Sequence, residues 1–127
     1  MNYQQQANEF AKKYGVKLKI NSSEYGKHFA EDKEGRYIFN CTLTRGGKKY
    51  TFNFGQSIAA GNVEPTMYDI LTCLTKYNPE TFEDFCGEYG YNTDSIKALN
   101  TYKAVNREFN GVNRLFGDIL EQLQEIQ

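Results

Sequence analysis

The sequence predicts an α+β fold in which a small three-stranded antiparallel sheet, built on a central β-hairpin, is packed by an N-terminal helix and about four C-terminal helices. Three observations carry that expectation. Residues 36–56, RYIFNCTLTRGGKKYTFNFGQ, alternate apolar and polar on both sides of Gly46-Gly47, as two strands do when a two-residue turn joins them and both turn residues take positive φ. Strand-like patterns fill the first half of the chain and helix-like patterns the second, which favours helices laid over one face of an antiparallel sheet. At 127 residues, the chain is expected to form one domain with enough apolar surface to bury a core unaided by metal or disulfide. Within it, residues 1–63 supply a helix and the sheet, and residues 64–127 the helical half.

Tyr3, Ala7, Phe10, Ala11 and Tyr14 recur at helical spacing and Gly15 follows them, so a helix is expected over 3–14 with glycine closing it. Val16, Leu18 and Ile20 then alternate with Lys17, Lys19 and Asn21, the pattern of a half-buried strand with a wet outer row. Residues 21–35 are polar and read as a loop, with at most a short extended stretch at 27–29. For the hairpin, setting Arg45 opposite Lys48 brings Leu43 to Tyr50, Cys41 to Phe52 and Phe39 to Phe54 on one face. Thr44 then meets Lys49, Thr42 meets Thr51 and Asn40 meets Asn53 on the other. A one-residue slip would oppose apolar to polar along the whole ladder.

Residues 55–64, rich in small side chains, read as a surface connection. Thr66 and Asp69 form a capping-box pattern ahead of Tyr68, Ile70, Leu71 and Leu74, predicting a helix that stops near Tyr77. Asn78-Pro79 is a helix start, followed by the expected buried stripe Phe82, Phe85, Cys86 and Tyr89, with Gly90 as the stop. Thr93 or Asp94 is the expected cap of the longest helix, whose buried side is read as Ile96, Leu99, Tyr102, Val105 and Phe109. Gly111 is a candidate bend there. Gly117-Asp118 breaks the pattern before a last short helix carrying Ile119, Leu120, Leu123 and Ile126.

Charge is unevenly spread. Net charge is −1, yet residues 1–63 hold ten Lys/Arg against five acids, whereas residues 64–96 hold seven acids and only Lys76. Lys17, Lys19, Arg45, Lys48 and Lys49 could make a basic strip for nucleic acid on the sheet. Glu80, Glu83, Asp84, Glu88 and Asp94 could instead imitate a phosphate backbone and enter a basic groove of a partner protein.

Other chemistry has less to stand on. Cys41, Cys73 and Cys86 are widely spaced within apolar patterns, as reduced core thiols are. His28 is the sole histidine, without the partner spacing of a zinc site, and its nearness to Glu24, Glu31 and Asp32 in a polar loop fixes no acid/base geometry. RGGKK at 45–49 lacks the spacing and following helix of a P-loop. No catalytic residue, cofactor or metal is therefore expected. No stretch approaches the roughly 20 apolar residues of a membrane span, and the first residues lack the apolar core of a signal peptide. Exposed tyrosines and a sheet edge also suit a homodimer.

The blocks TLTRGGKKYTFNFGQS (42–57) and MYDILTCLTKYNPETFEDFCGEYGYNTDS (67–95), with TYKAVNREF and LEQLQEIQ near the end, resemble a family of small accessory proteins carried by bacteriophages and other mobile elements of gut bacteria. The resemblance covers about three quarters of the chain and brings no catalytic motif. It implies a protein of the bacterial host's cytoplasm. Some accessory proteins of this size resemble anti-CRISPR proteins, which implies a host protein partner, a CRISPR effector nuclease, met through the acidic helical surface.

Overall fold

The computed structural model describes residues 2–28, 33–75 and 81–126. Helix α1 (Tyr3–Tyr14) leads into strands β1 (Lys17–Gly26), β2 (Arg36–Arg45) and β3 (Lys48–Gly55), and then into helices α2 (Met67–Leu74), α3 (Phe82–Tyr89), α4 (Ile96–Phe116) and α5 (Leu120–Gln124). The strands form one antiparallel sheet in the order β1-β2-β3. The architecture is the predicted α+β arrangement.

Local chemistry explains most of the boundaries. Asn2 and Gln5 close a reciprocal capping box at the start of α1, and Gly15 ends the helix in the left-handed region at φ 71°. Gly46 and Gly47 take φ of 55° and 82°, which sets the hairpin register at Arg45 opposite Lys48 and places Phe39, Cys41, Leu43, Tyr50 and Phe52 in the core. Thr66 and Asp69 form the expected capping box of α2. The expected end of that helix near Tyr77 and the start signal Asn78-Pro79 lie outside the described residues.

The structure revises several expectations. Strand β1 continues to Gly26 where a loop is predicted, because a bulge at Asn21 shifts the register between Ile20 and Ser22 and lets Ser22–Gly26 pair with the first half of β2. Asn21 compensates for the interrupted ladder by donating from Nδ2 to Asn40 Oδ1 at 2.9 Å and Thr42 Oγ1 at 2.8 Å. Ser95, rather than Thr93 or Asp94, caps α4 by accepting from the Ala98 N–H. Ile96 and Leu99 face outward, Ile96 being 76% exposed. Steps of three residues drift by about 60° each on a helix of 3.6 residues per turn, so Ile96 ends about half a turn away from Val105.

At Gly111 the structure shows a contact between distant parts of the chain. The α4 helix runs unbroken through it, and a Cβ there would stand 2.5 Å from the ring of Tyr50. Absence of a side chain there lets α4 approach β3 closely.

The principal core joins both halves of the chain. Phe10, Phe39, Leu43 and Tyr50 meet Ile70, Leu74, Val112, Phe116 and Leu123 in one apolar cluster. A second, smaller cluster consists of Phe85, Cys86 and Ala98 with Phe82, Tyr91, Tyr102 and Val105 around them. Helix α3 and the first half of α4 thus form a lobe with a core of its own. The connection after β3 is tied down: buried Gln56 accepts from the Ser57 N–H and donates to the Val63 carbonyl at 2.9 Å, while Ser57 caps a short 3-10 turn at Ile58–Ala60.

Candidate functional site

The acidic surface is built by α3. Thr81 caps the helix, its hydroxyl accepting from the Asp84 N–H at 3.1 Å. Gly90 closes it at φ 71°. Phe85 and Cys86 turn into the lobe, Phe85 packing on Tyr91 and Tyr102 with ring centroids 5.8 and 5.5 Å apart, whereas Tyr89 of the expected buried stripe is 60% exposed. That inward stripe leaves Glu83, Asp84 and Glu88 exposed on the outward side. Asp94 is exposed in the turn before α4. Its carboxylate is left to solvent because Ser95 does the capping. None of these four carboxylates pairs with a described cation. Glu80 lies outside the described residues.

The basic strip is only partly assembled. Lys17, Thr44 and Lys49 align across the three strands, with Lys19, Thr42 and Thr51 in the next row. All three lysines are exposed. Arg45 and Lys48 have the opposite parity, and Arg45 swings over the Tyr14 ring toward the helices. There it donates to the carbonyls of Tyr14 at 3.1 Å and Leu115 at 2.9 Å and pairs with Asp118 at 2.6 Å. Its hydrogen-bonding capacity is taken up by the ends of two helices. Between the lysines, Asn40 donates to Asn53 at 2.9 Å and the Thr42 and Thr51 hydroxyls share a hydrogen bond of 3.0 Å. The outer sheet face satisfies itself, and no aromatic platform stands on it among the described residues.

Sequence reasoning did not find a polar cleft of about 410 Å³ between the end of β3 and α2. His28, Arg36, Asn53, Asp69, Thr72 and Cys73 line it. The His28 ring lies against Gly55, where a Cβ would stand 2.6 Å from its Cδ2, a contact between distant residues that no local pattern announces. The Asp69 carboxylate accepts from the Thr66 N–H at 2.9 Å and serves the helix start. Of the acids considered for His28, Glu24 pairs with Ile38 along the sheet, and Glu31 and Asp32 lie outside the described residues.

Thiol chemistry is set by burial. Burial pushes the Cys41 thiol up to about 11, with Cys73 and Glu64 adding to the effect. Burial likewise raises Cys86. Among the described residues no group of three or more His, Cys, Asp or Glu is placed to hold a metal ion, and no helix is long and apolar enough to cross a membrane. Comparison with protein-family models, with curated proteins and with solved structures finds no match to this chain.

Proposed function

We propose that this protein is a phage-encoded, non-enzymatic antagonist of a host defence nuclease, of the anti-CRISPR kind, which binds an RNA-guided nuclease through the outward face of α3. One observation carries the reading: Glu83, Asp84 and Glu88 are all exposed on the half of α3 turned away from the lobe's small core, with no described cation paired to them. A channel built to hold a nucleic-acid backbone presents Lys and Arg at close quarters, and preplaced carboxylates compete for them without supplying a substrate. The resemblance of residues 42–57 and 67–95 to phage accessory proteins supplies the setting, the cytoplasm of an infected bacterial host.

The test is affinity capture from nuclease-treated host lysate. A nucleic-acid-dependent nuclease should remain bound and be released by heparin, and a Glu83→Lys/Glu88→Lys variant should retain none of it. Equal capture by that variant, or recovery only when nucleic acid is left intact, contradicts the proposal.

A further inference from the structure

Helix α4 carries a second charged surface on its other side. Lys103, Arg107, Asn110 and Arg114 fall within an arc of about 60° at roughly 100° per residue, and all four are exposed or half-exposed along the helix. Ala98, Tyr102 and Val105, which meet α3, lie about 145° around the helix from the centre of that arc. The cationic face and the acidic face of α3 therefore point away from each other.

The cationic face is part of a groove. Between α4 and the edge strand β3 a cleft of about 320 Å³ is lined by Tyr50, Thr51, Arg107, Glu108, Asn110 and Arg114. Close approach at Gly111 makes its floor, where the Tyr50 ring takes the space of a side chain. Two internal contacts order the groove's lining. Glu108, the one acid in its lining, accepts a hydrogen bond from the Tyr50 hydroxyl. Arg114 donates one bond, from Nη2 to the Lys49 carbonyl at 2.9 Å, which anchors its guanidinium at the β3 edge with other N–H groups left over. Arg107 makes no ion pair with a described residue. Lys49 meets the groove through its carbonyl alone, its exposed side chain belonging to the outer row of the sheet with Thr44 and Lys17.

We propose that this groove, continued one turn along α4 by Lys103, binds the phosphodiester backbone of a nucleic acid, with Lys103, Arg107 and Arg114 on the phosphates and Asn110 and Thr51 as neutral hydrogen-bonding groups between them. Guanidinium forks match phosphate oxygens two at a time. The helical spacing repeats the cations along a line, as a backbone repeats its phosphates. Polar Asn and Thr between the cations suit oxygen-rich sugar and phosphate better than the apolar boundary of a membrane. The site shares no cationic side chain with the strip expected on the sheet, and it stands independently of the α3 surface.

The test is fluorescence anisotropy of labelled single-stranded and duplex DNA homopolymers titrated with the whole chain across a salt series. Arg114 is left intact because it also ties α4 to β3. A Lys103→Gln/Arg107→Gln variant should weaken binding at low salt by about tenfold or more and, on single strands, flatten the slope of log K against log salt by about 1.4, at roughly 0.7 per lost phosphate contact. A Lys17→Gln/Lys19→Gln variant should bind as the parent does. No binding by the parent, equal binding by the Lys103/Arg107 variant, loss confined to the Lys17/Lys19 variant, or equally tight binding of polyglutamate or phosphatidylserine vesicles each overturns the proposal.

Discussion

Arg45 and Asp118, far apart in the chain, close a two-pronged ion pair with Nη1 to Oδ1 at 2.6 Å and Nη2 to Oδ2 at 3.0 Å. The same guanidinium holds the carbonyls of Tyr14 and Leu115, so one side chain from the hairpin ties the end of α1 to the end of α4. Those carbonyls belong to helix termini, where cations are favoured.

Arg45→Ala should therefore lower stability by about 2 kcal/mol, the usual range for a hydrogen-bonded charge losing backbone partners. Urea denaturation of the two proteins at neutral pH measures it. A loss no larger than that of an exposed lysine such as Lys19 would remove Arg45 from this role.

Asp118 makes the same link sensitive to acid. Its hydrogen bond to Arg45 holds the carboxyl below the ordinary 3.8. A depressed folded-state value contributes stability above the unfolded value and loses it as pH falls from there through the folded value. The parent should therefore exceed Asp118→Asn in denaturation midpoint at about pH 6, with the difference shrinking only below about pH 4. A difference that stays constant into acid would contradict the pairing.

Two glycines should respond to alanine with opposite signs. In Gly111→Ala the new methyl meets the Tyr50 ring, and overpacking of this kind costs about 1–3 kcal/mol even though alanine favours helix. Gly87 lies in α3, and a Cβ placed on it would meet nothing within 4 Å, so Gly87→Ala should gain about 1 kcal/mol from helix propensity alone. Thermal melts of both variants decide the matter.

The thiols should separate by exposure. Cys73, half-buried and lining the cleft of His28 and Arg36, should react first with Ellman's reagent in the native protein. Cys41 and Cys86, buried with raised thiol values, should react only on unfolding, because the thiolate is the reactive form. Simultaneous modification of all three would mean that the sheet and the lobe open together.

Much of the fold was legible because its signals are local. A turn of two glycines fixed every pairing between β2 and β3, and Thr66 with Asp69 marked the start of α2. The extension of β1 was hidden because the bulge at Asn21 reverses which side chains face in, and the residues beyond it are polar on an exposed edge strand. Period-three apolar spacing misplaced Ile96 and Leu99, since only the rotation per residue distinguishes one helix face from another. The fate of Arg45 follows from the predicted register, which puts it on the side of Leu43, but its partner Asp118 comes from the far end of the chain. Residues 97–127 balance four cations against four acids, and that sum conceals Lys103, Arg107 and Arg114 on one face. Their helical spacing was the available signal.

The acidic surface offers a cleaner variant than wholesale charge reversal. Glu83 and Asp84 stand in the first turn of α3, where the helix dipole favours acids, whereas Glu88 stands in the last turn, where it favours cations. Glu88→Lys should leave stability unchanged or raise it by roughly a few tenths of a kcal/mol while weakening partner binding.

That separation makes the most direct test of the proposed function the plating efficiency of a phage targeted by an active RNA-guided nuclease, on host cells expressing the parent chain or Glu88→Lys at matched levels. The account predicts that the parent restores plaques and that Glu88→Lys, equally folded, restores markedly fewer. No restoration by the parent against any such nuclease of its host, or equal restoration by both proteins, would contradict binding through the α3 face.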